Sequence, residues 1–193
     1  MSLFTGRGDD GTTRLFGGQA KTGAKERISK SSAIAEALGS MDEINSFLGL
    51  CKIRSKEAGL EIKYKKVCDL VHEIQKNLFI IQAELAGSNM TIEEVKVKSM
   101  EEVINEIENE MPPIKSFFIS GGTELAATFD VARTIARRAE RRVVRVVNEA
   151  PEGTQAVGQY SRAYLNRLSS ILYAFARFSN HSAGIGEEAP DYK

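Results

Sequence analysis

The chain has 193 residues, 26 basic and 26 acidic side chains, a formal net charge of zero and 42% apolar residues. That length and apolar share suit one packed domain. The charge balance excludes a disordered polyelectrolyte and disfavours a nucleic-acid coat protein, whose affinity rests on net basic charge. Cys51 and Cys68 alone cannot make a disulfide framework or a zinc ribbon. No apolar run approaches the roughly 20 residues of a membrane span, and the first residues lack an apolar signal core. The expectation is a soluble cytoplasmic protein.

Residues 1–30 form the first element. Gly6, Gly8, Gly11, Gly17, Gly18 and Gly23 alternate with Thr5, Thr12, Thr13 and Thr22, a composition that opposes regular structure and exposes backbone amides in turns. Clustered glycine amides, hydroxyls and the cations Arg7 and Arg14 can cradle polyphosphate. The spacing from Gly6 to Gly11 fits a Walker A loop, but Thr12 stands in place of its lysine; Lys30 can supply that charge from further along. The plain alternative is a flexible N-terminal arm.

Ser29-Lys30-Ser31-Ser32 offers a cap for a helix. Beyond it, apolar residues step by three and four: Ile34 to Cys51, Val67 to Leu85, Met100 to Met111, Leu125 to Val146 and Tyr164 to Phe178. Gly59, Gly87-Ser88-Asn89, Pro112-Pro113 through Gly121-Gly122, and Pro151-Glu152-Gly153 separate these runs. The pattern predicts an all-α fold, a five-helix up-and-down bundle with a glycine-rich arm. Its helices fall near 32–57, 60–88, 91–111, 123–150 and 154–182, with antiparallel neighbours across the short breaks. No strand alternation stands out. Residues 1–30 are thus an arm, 31–182 the bundle and 183–193 a flexible tail.

The fourth helix concentrates six arginines between Arg133 and Arg145. At about 100° per residue, with Phe129 at zero, Arg133, Arg137 and Glu140 fall at about 40°, 80° and 20°, flanking the apolar stripe. Arg138, Arg142 and Arg145 fall near about 160° to 220°, on the side read as solvated or as an oligomer contact. The planar guanidinium suits phosphate or carboxylate pairing, and Glu140 is placed to hold Arg137. The alternative is an ordinary charged flank with pairs three and four residues apart. Asn166 falls opposite the apolar stripe of the fifth helix, where only a site between subunits would use it. His72 and His181 are the only histidines and no Glu-x-x-His pair occurs, so no metal site is expected. His72 reads as a packed or surface histidine, and both cysteines as core or near-core residues.

Four segments in order resemble the PduO-type ATP:cob(I)alamin adenosyltransferases. Gly8-Asp9-Asp10-Gly11-Thr12-Thr13 is similar to that family's TGDxGTT loop. Lys30, then Glu36-Ala37-Leu38-Gly39-Ser40-Met41-Asp42-Glu43-Ile44-Asn45-Ser46, resembles its K…EAYGTVDELNS segment. Phe117 to Gly122 followed by Arg133 to Arg141 resembles FxLPGG…RTxxRRAER, and Tyr164-Leu165-Asn166-Arg167-Leu168-Ser169 matches YLNRLS. The resemblance runs from about Phe4 to Asn180.

The resemblance implies a homotrimeric five-helix bundle with sites between subunits. Its activity would move the 5′-deoxyadenosyl group of ATP onto cob(I)alamin, releasing triphosphate with Mg²⁺ present. By position, Thr5, Gly6, Arg7, Gly8, Thr13, Arg14 and Lys30 would form the ATP-binding arm. Arg137, Arg138, Glu140, Arg141 and Asn166 match ATP-contacting positions, with Arg137 and Lys30 as the catalytic cations. Asp42 would pair across the interface with Arg133, and Phe117 matches an aromatic on the lower corrin face. A corrinoid reductase and an adenosylcobalamin-dependent enzyme are the implied partners, with no nucleic acid or membrane. The chain departs from the pattern at Arg7 (usually threonine), Leu38 (tyrosine), Ser120 (proline) and Ser170 (aspartate). An ATP-binding regulatory or scaffold protein on the same fold is the alternative, and a nucleic-acid module on the arginine helix a weaker one.

Overall fold

Ser32 starts the bundle. Its hydroxyl accepts from the Ala35 amide at 3.4 Å and caps a helix, α1, over Ala33–Glu57. The computed structural model describes residues 4–15, 27–151 and 157–192. Gly17, Gly18, Thr22 and Gly23 of the arm, and Glu152-Gly153 of the last break, lie outside them. Four more helices follow: α2 Val67–Leu85, α3 Glu94–Glu110, α4 Glu124–Glu149 and α5 Gln159–Ser182. Thr123 caps α4 through the Ala126 amide at 3.0 Å, and Pro112 with Pro113 prevents α3 from continuing.

The five expected helices are present, but their neighbours are not simply consecutive. The principal pairings run α2–α1–α4–α5–α3, so α1 with α4 and α3 with α5 join helices distant in sequence. Met41, Ile44, Leu48, Leu78, Ile81, Phe129, Tyr164 and Phe175 fill the shared core. Phe129 and Phe175 meet with ring centroids 5.2 Å apart, an edge-inclined contact that joins α4 to α5.

Two short antiparallel ladders correct the strand-free expectation. In the arm, β1 (Thr12–Arg14) pairs with β2 (Arg27–Ser29), Thr13 facing Ile28. Between α1 and α2, β3 (Glu61–Ile62) pairs with β4 (Lys65–Lys66), so the second helix begins at Val67 rather than near 60. Lys63 takes a positive φ of 53° in the turn, while Ile62 is fully buried.

In the segment read as a flexible tail, the stretch from Ala183 to Glu188 bonds to the rest of the chain. The Ile185 amide donates to the Asn180 carbonyl at 2.9 Å, and the Ile119 amide donates to the Glu188 carbonyl at 2.8 Å. The tail therefore runs back along the loop between α3 and α4.

Candidate functional site

The α3–α4 loop and the tail enclose a cavity of about 830 Å³ against α4 and α5, within the range of about 300–1,000 Å³ common for small-molecule sites. Its floor begins at Gly121-Gly122. The Asn180 side chain accepts from the Thr123 amide and donates to the Gly121 carbonyl, both at 2.8 Å. A Cβ on Gly122, at φ +93°, would stand 2.5 Å from Asn180 Oδ1, so only glycine fits there. This clamp sets where α4 starts, and hence where its arginines point.

Arg133 and Arg137 line the cavity. Arg133 Nε lies 3.4 Å from Asp130 Oδ1, and its guanidinium sits 5.7 Å from the centre of the Tyr173 ring. Burial raises the Tyr173 phenol above its ordinary pKa. Asp42 is exposed on α1 and makes no ion pair within the chain among the described residues. Arg137 is exposed and presents a cation to the cavity. Glu140 does not hold Arg137, as spacing suggested. It accepts instead from Asn166 Nδ2 at 3.0 Å, joining α4 to α5 outside the core. Arg167 Nη1 donates to the Asn166 side-chain oxygen at 2.9 Å, so Asn166 is oriented from both sides. Phe117 is 80% exposed at the cavity rim, an unusual state for a large apolar ring.

The opposite arginines are a correction. Arg138 reaches Glu43 at 2.5 Å and Arg142 reaches Glu36 at 3.1 Å, both on α1. Packed between α1 and α5, α4 has two occupied flanks, and a wheel centred on one stripe misses the second; long arginine stems span the difference. Of these three, Arg145 pairs along its own helix, with Glu149 at 2.6 Å. Arg141 is exposed on the same helix.

The arm is organised on its own. Turns close from the Asp9 amide to the Gly6 carbonyl and from the Gly11 amide to the Gly8 carbonyl, each 3.2 Å. Asp10 accepts from the Thr12 hydroxyl at 2.7 Å and the Thr12 amide at 2.9 Å. These bonds, helped by Arg27, hold its carboxyl below the usual range. Lys30 Nζ donates to the Gly8 carbonyl at 2.8 Å. Arg27, which the sequence did not single out, donates to the Arg7 carbonyl and to the side chain and carbonyl of Thr12. Thr5, Arg7 and Arg14 are exposed. None of these arm residues lines the cavity with Arg137, so one chain does not unite the two groups of candidate residues.

Tyr173, Asn180 and Arg177 also escaped the sequence reading. Arg177 carried a signal, a charge inside the apolar run Tyr164–Phe178; the structure buries it to 6% exposure. Glu187, its partner, had none. Among the described residues no group of three His, Cys, Asp or Glu side chains converges as a metal cage, and no helix is long and apolar enough to cross a membrane.

Comparison with known proteins bears on the same features. The family model for cobalamin adenosyltransferase matches residues 3–179. The corrinoid adenosyltransferase PduO of Citrobacter freundii is 36% identical over 190 residues, 95% of this chain and 51% of that protein. The chain thus spans about half the length of its PduO relatives. The corrinoid adenosyltransferase of Bacillus subtilis is 35% identical over 192 residues, 97% of this chain and 91% of that one. A phenylalanine-to-alanine variant of a PduO-type ATP:corrinoid adenosyltransferase from Lactobacillus reuteri, complexed with cobalamin and ATP, superposes with a TM-score of 0.83. It is 28% identical, with 98% of this chain and 99% of that one covered. An arginine-to-lysine variant complexed with ATP gives 0.81 at 28% identity, over 98% and 100% of the two chains. With a matching helical framework, an arginine-lined cavity and a relative matched over nearly its full length, the chain belongs to the cobalamin adenosyltransferase family.

Proposed function

We propose that the protein transfers the 5′-deoxyadenosyl group of ATP to cob(I)alamin, forming adenosylcobalamin and releasing triphosphate. The observation that carries this reading is the cavity itself. It sets an exposed aromatic, Phe117, and two cations, Arg133 and Arg137, around a volume fit for a large ligand, in a chain of this family.

The chemistry asks little of the protein beyond placement. Cob(I)alamin, a substrate, is itself a strong nucleophile; its cobalt electron pair forms the bond to C5′ as the C5′–oxygen bond breaks and triphosphate leaves. Rate then depends on aligning cobalt with C5′ and on stabilising the departing charge. Arg137 meets that charge from α4. Lys30 meets it from the arm, exchanging its Gly8 carbonyl for phosphate oxygen. Glycine amides and hydroxyls from Thr5 to Thr13, with Arg7 and Arg14, hold the triphosphate. Arg138, Arg141 and the Glu140–Asn166 pair fix the nucleoside end. Phe117 covers the lower corrin face and excludes an axial ligand. Mg²⁺ would arrive on the nucleotide phosphates, and no step here depends on a protein-bound ion.

Because the arm and the cavity are separate within one chain, a neighbouring copy supplies the arm. A homotrimer does this, with Asp42 of one copy meeting Arg133 of the next. A corrinoid reductase supplies the substrate and an adenosylcobalamin-dependent enzyme receives the product, in the cytoplasm. The test is to mix protein, ATP, Mg²⁺ and chemically reduced cobalamin without oxygen and follow the light-sensitive product. Its formation supports the reading; a folded, ATP-binding protein that forms none is instead a regulatory or scaffold protein.

A further inference from the structure

We propose that Arg177 and Glu187 form a latch that locks the C-terminal segment onto the α3–α4 loop and so sets the wall of the corrinoid cavity. The pair are positioning residues for the corrinoid and not for ATP. This rests on reading the cavity as the corrinoid site.

Arg177 donates from Nε to Glu187 Oε1 at 2.5 Å and from Nη2 to Glu187 Oε2 at 2.7 Å. This two-point fork is a strong, direction-fixing form of ion pair. The side chains are 6% and 19% exposed. A buried pair of this kind is costly to break from one side, because the remaining charge stays desolvated. The same guanidinium donates to the Pro112 carbonyl at 3.1 Å and lies 5.4 Å from the centre of the Phe118 ring. One α5 side chain therefore grips both the start of the loop and the tail. The Ile119 amide, bonded to the Glu188 carbonyl at 2.8 Å, closes the seam.

Phe117 lies beside these contacts yet makes little of its own, at 80% exposure. Its position is inherited from neighbours: Phe118 on Arg177 and Ile119 on the tail. Ile185, carried by the tail, is an apolar lining residue of the same cavity. Releasing Glu187 leaves the Ile185 amide on the Asn180 carbonyl, but it unties the chain beyond Ile185 and loosens the segment that aims Phe117. None of the arm residues assigned to phosphate touches this latch.

Glu187 lies beyond the last helix, so its replacement spares the bundle core. Steady-state kinetics on the full chain with Glu187→Ala and Glu187→Gln, varying cob(I)alamin and ATP separately, test the latch. Amide exchange at Ile119 is measured beside them. The expected result is a corrinoid KM raised about tenfold or more, an unchanged ATP KM, and exchange at Ile119 about tenfold faster. A merely structural anchor predicts unchanged KM values, or equal rises in both, and either result overturns the proposal. If the wild-type chain forms no adenosylcobalamin, the functional reading fails separately. Equilibrium binding of hydroxocobalamin and Ile119 exchange then decide the latch: weaker binding with faster exchange supports it, and no change in either overturns it.

Discussion

Arg137 and Arg145 share one helix, yet their surroundings differ. Arg137 faces the cavity and is not engaged by Glu140. Arg145 pairs with Glu149 at the surface, its side chain 67% exposed, where such pairs contribute little. Arg137→Ala is expected to lower kcat by about a hundredfold or more, the scale of removing one charge-stabilising donor. Arg145→Ala should stay within about twofold. Equal losses in the two variants, measured under saturating substrates, would refute the assignment by helix face. Cys51, by contrast, is out of reach of chemistry: burial pushes its thiol up to about 12. The proposed reaction would need no protein nucleophile.

At the scale of elements, the β3–β4 hairpin plugs the bundle between α1 and α2. Ile62 is fully buried and Leu60 nearly so, and the Val67 amide donates to the Leu60 carbonyl at 3.0 Å. Lys63 and Lys65 reach Glu106 of α3, at 3.7 and 3.0 Å. Ile62→Ala should cost about 2–5 kcal/mol, read as a lower denaturation midpoint with an unchanged denaturant slope; an unmoved midpoint would show that the hairpin is not a plug. This element also shows what the sequence concealed. Glu61-Ile62-Lys63-Tyr64-Lys65-Lys66 has one buried residue and no glycine in its turn, so no alternation announces two strands of two residues each. The long helices were legible because each repeats its apolar step over several turns. The Ser32 cap and the Pro112-Pro113 stop mark two of their ends; the Thr123 cap emerged only in the structure. Arg133 and Arg137 were legible by angle. The Arg138–Glu43 and Arg177–Glu187 pairs were not, because partners far apart in the chain or across a loop leave no local period.

For the whole molecule, net neutrality is an average over separated charges. Cations gather on the arm and α4, while acids gather on α3, at Glu101, Glu102, Glu106, Glu108 and Glu110. Exposed apolar side chains remain on α1, at Leu50 and Ile53, and on α4, at Val131 and Val144. The proposed trimer would cover these surfaces and bring a neighbour's arm to the cavity, which the chain's own arm does not line. Sedimentation equilibrium should give three times the 21.2 kDa chain mass, and a fully active monomer would contradict a site shared between copies. The proposed reaction is tested most directly by product stoichiometry. Under strictly anaerobic conditions with ATP and cob(I)alamin, phosphorus resonance and cobalamin absorbance are followed in one sample. The account predicts one intact triphosphate for each light-sensitive cobalt–carbon bond formed. ADP and free phosphate in its place, or ATP left whole beside unchanged corrinoid, would contradict it.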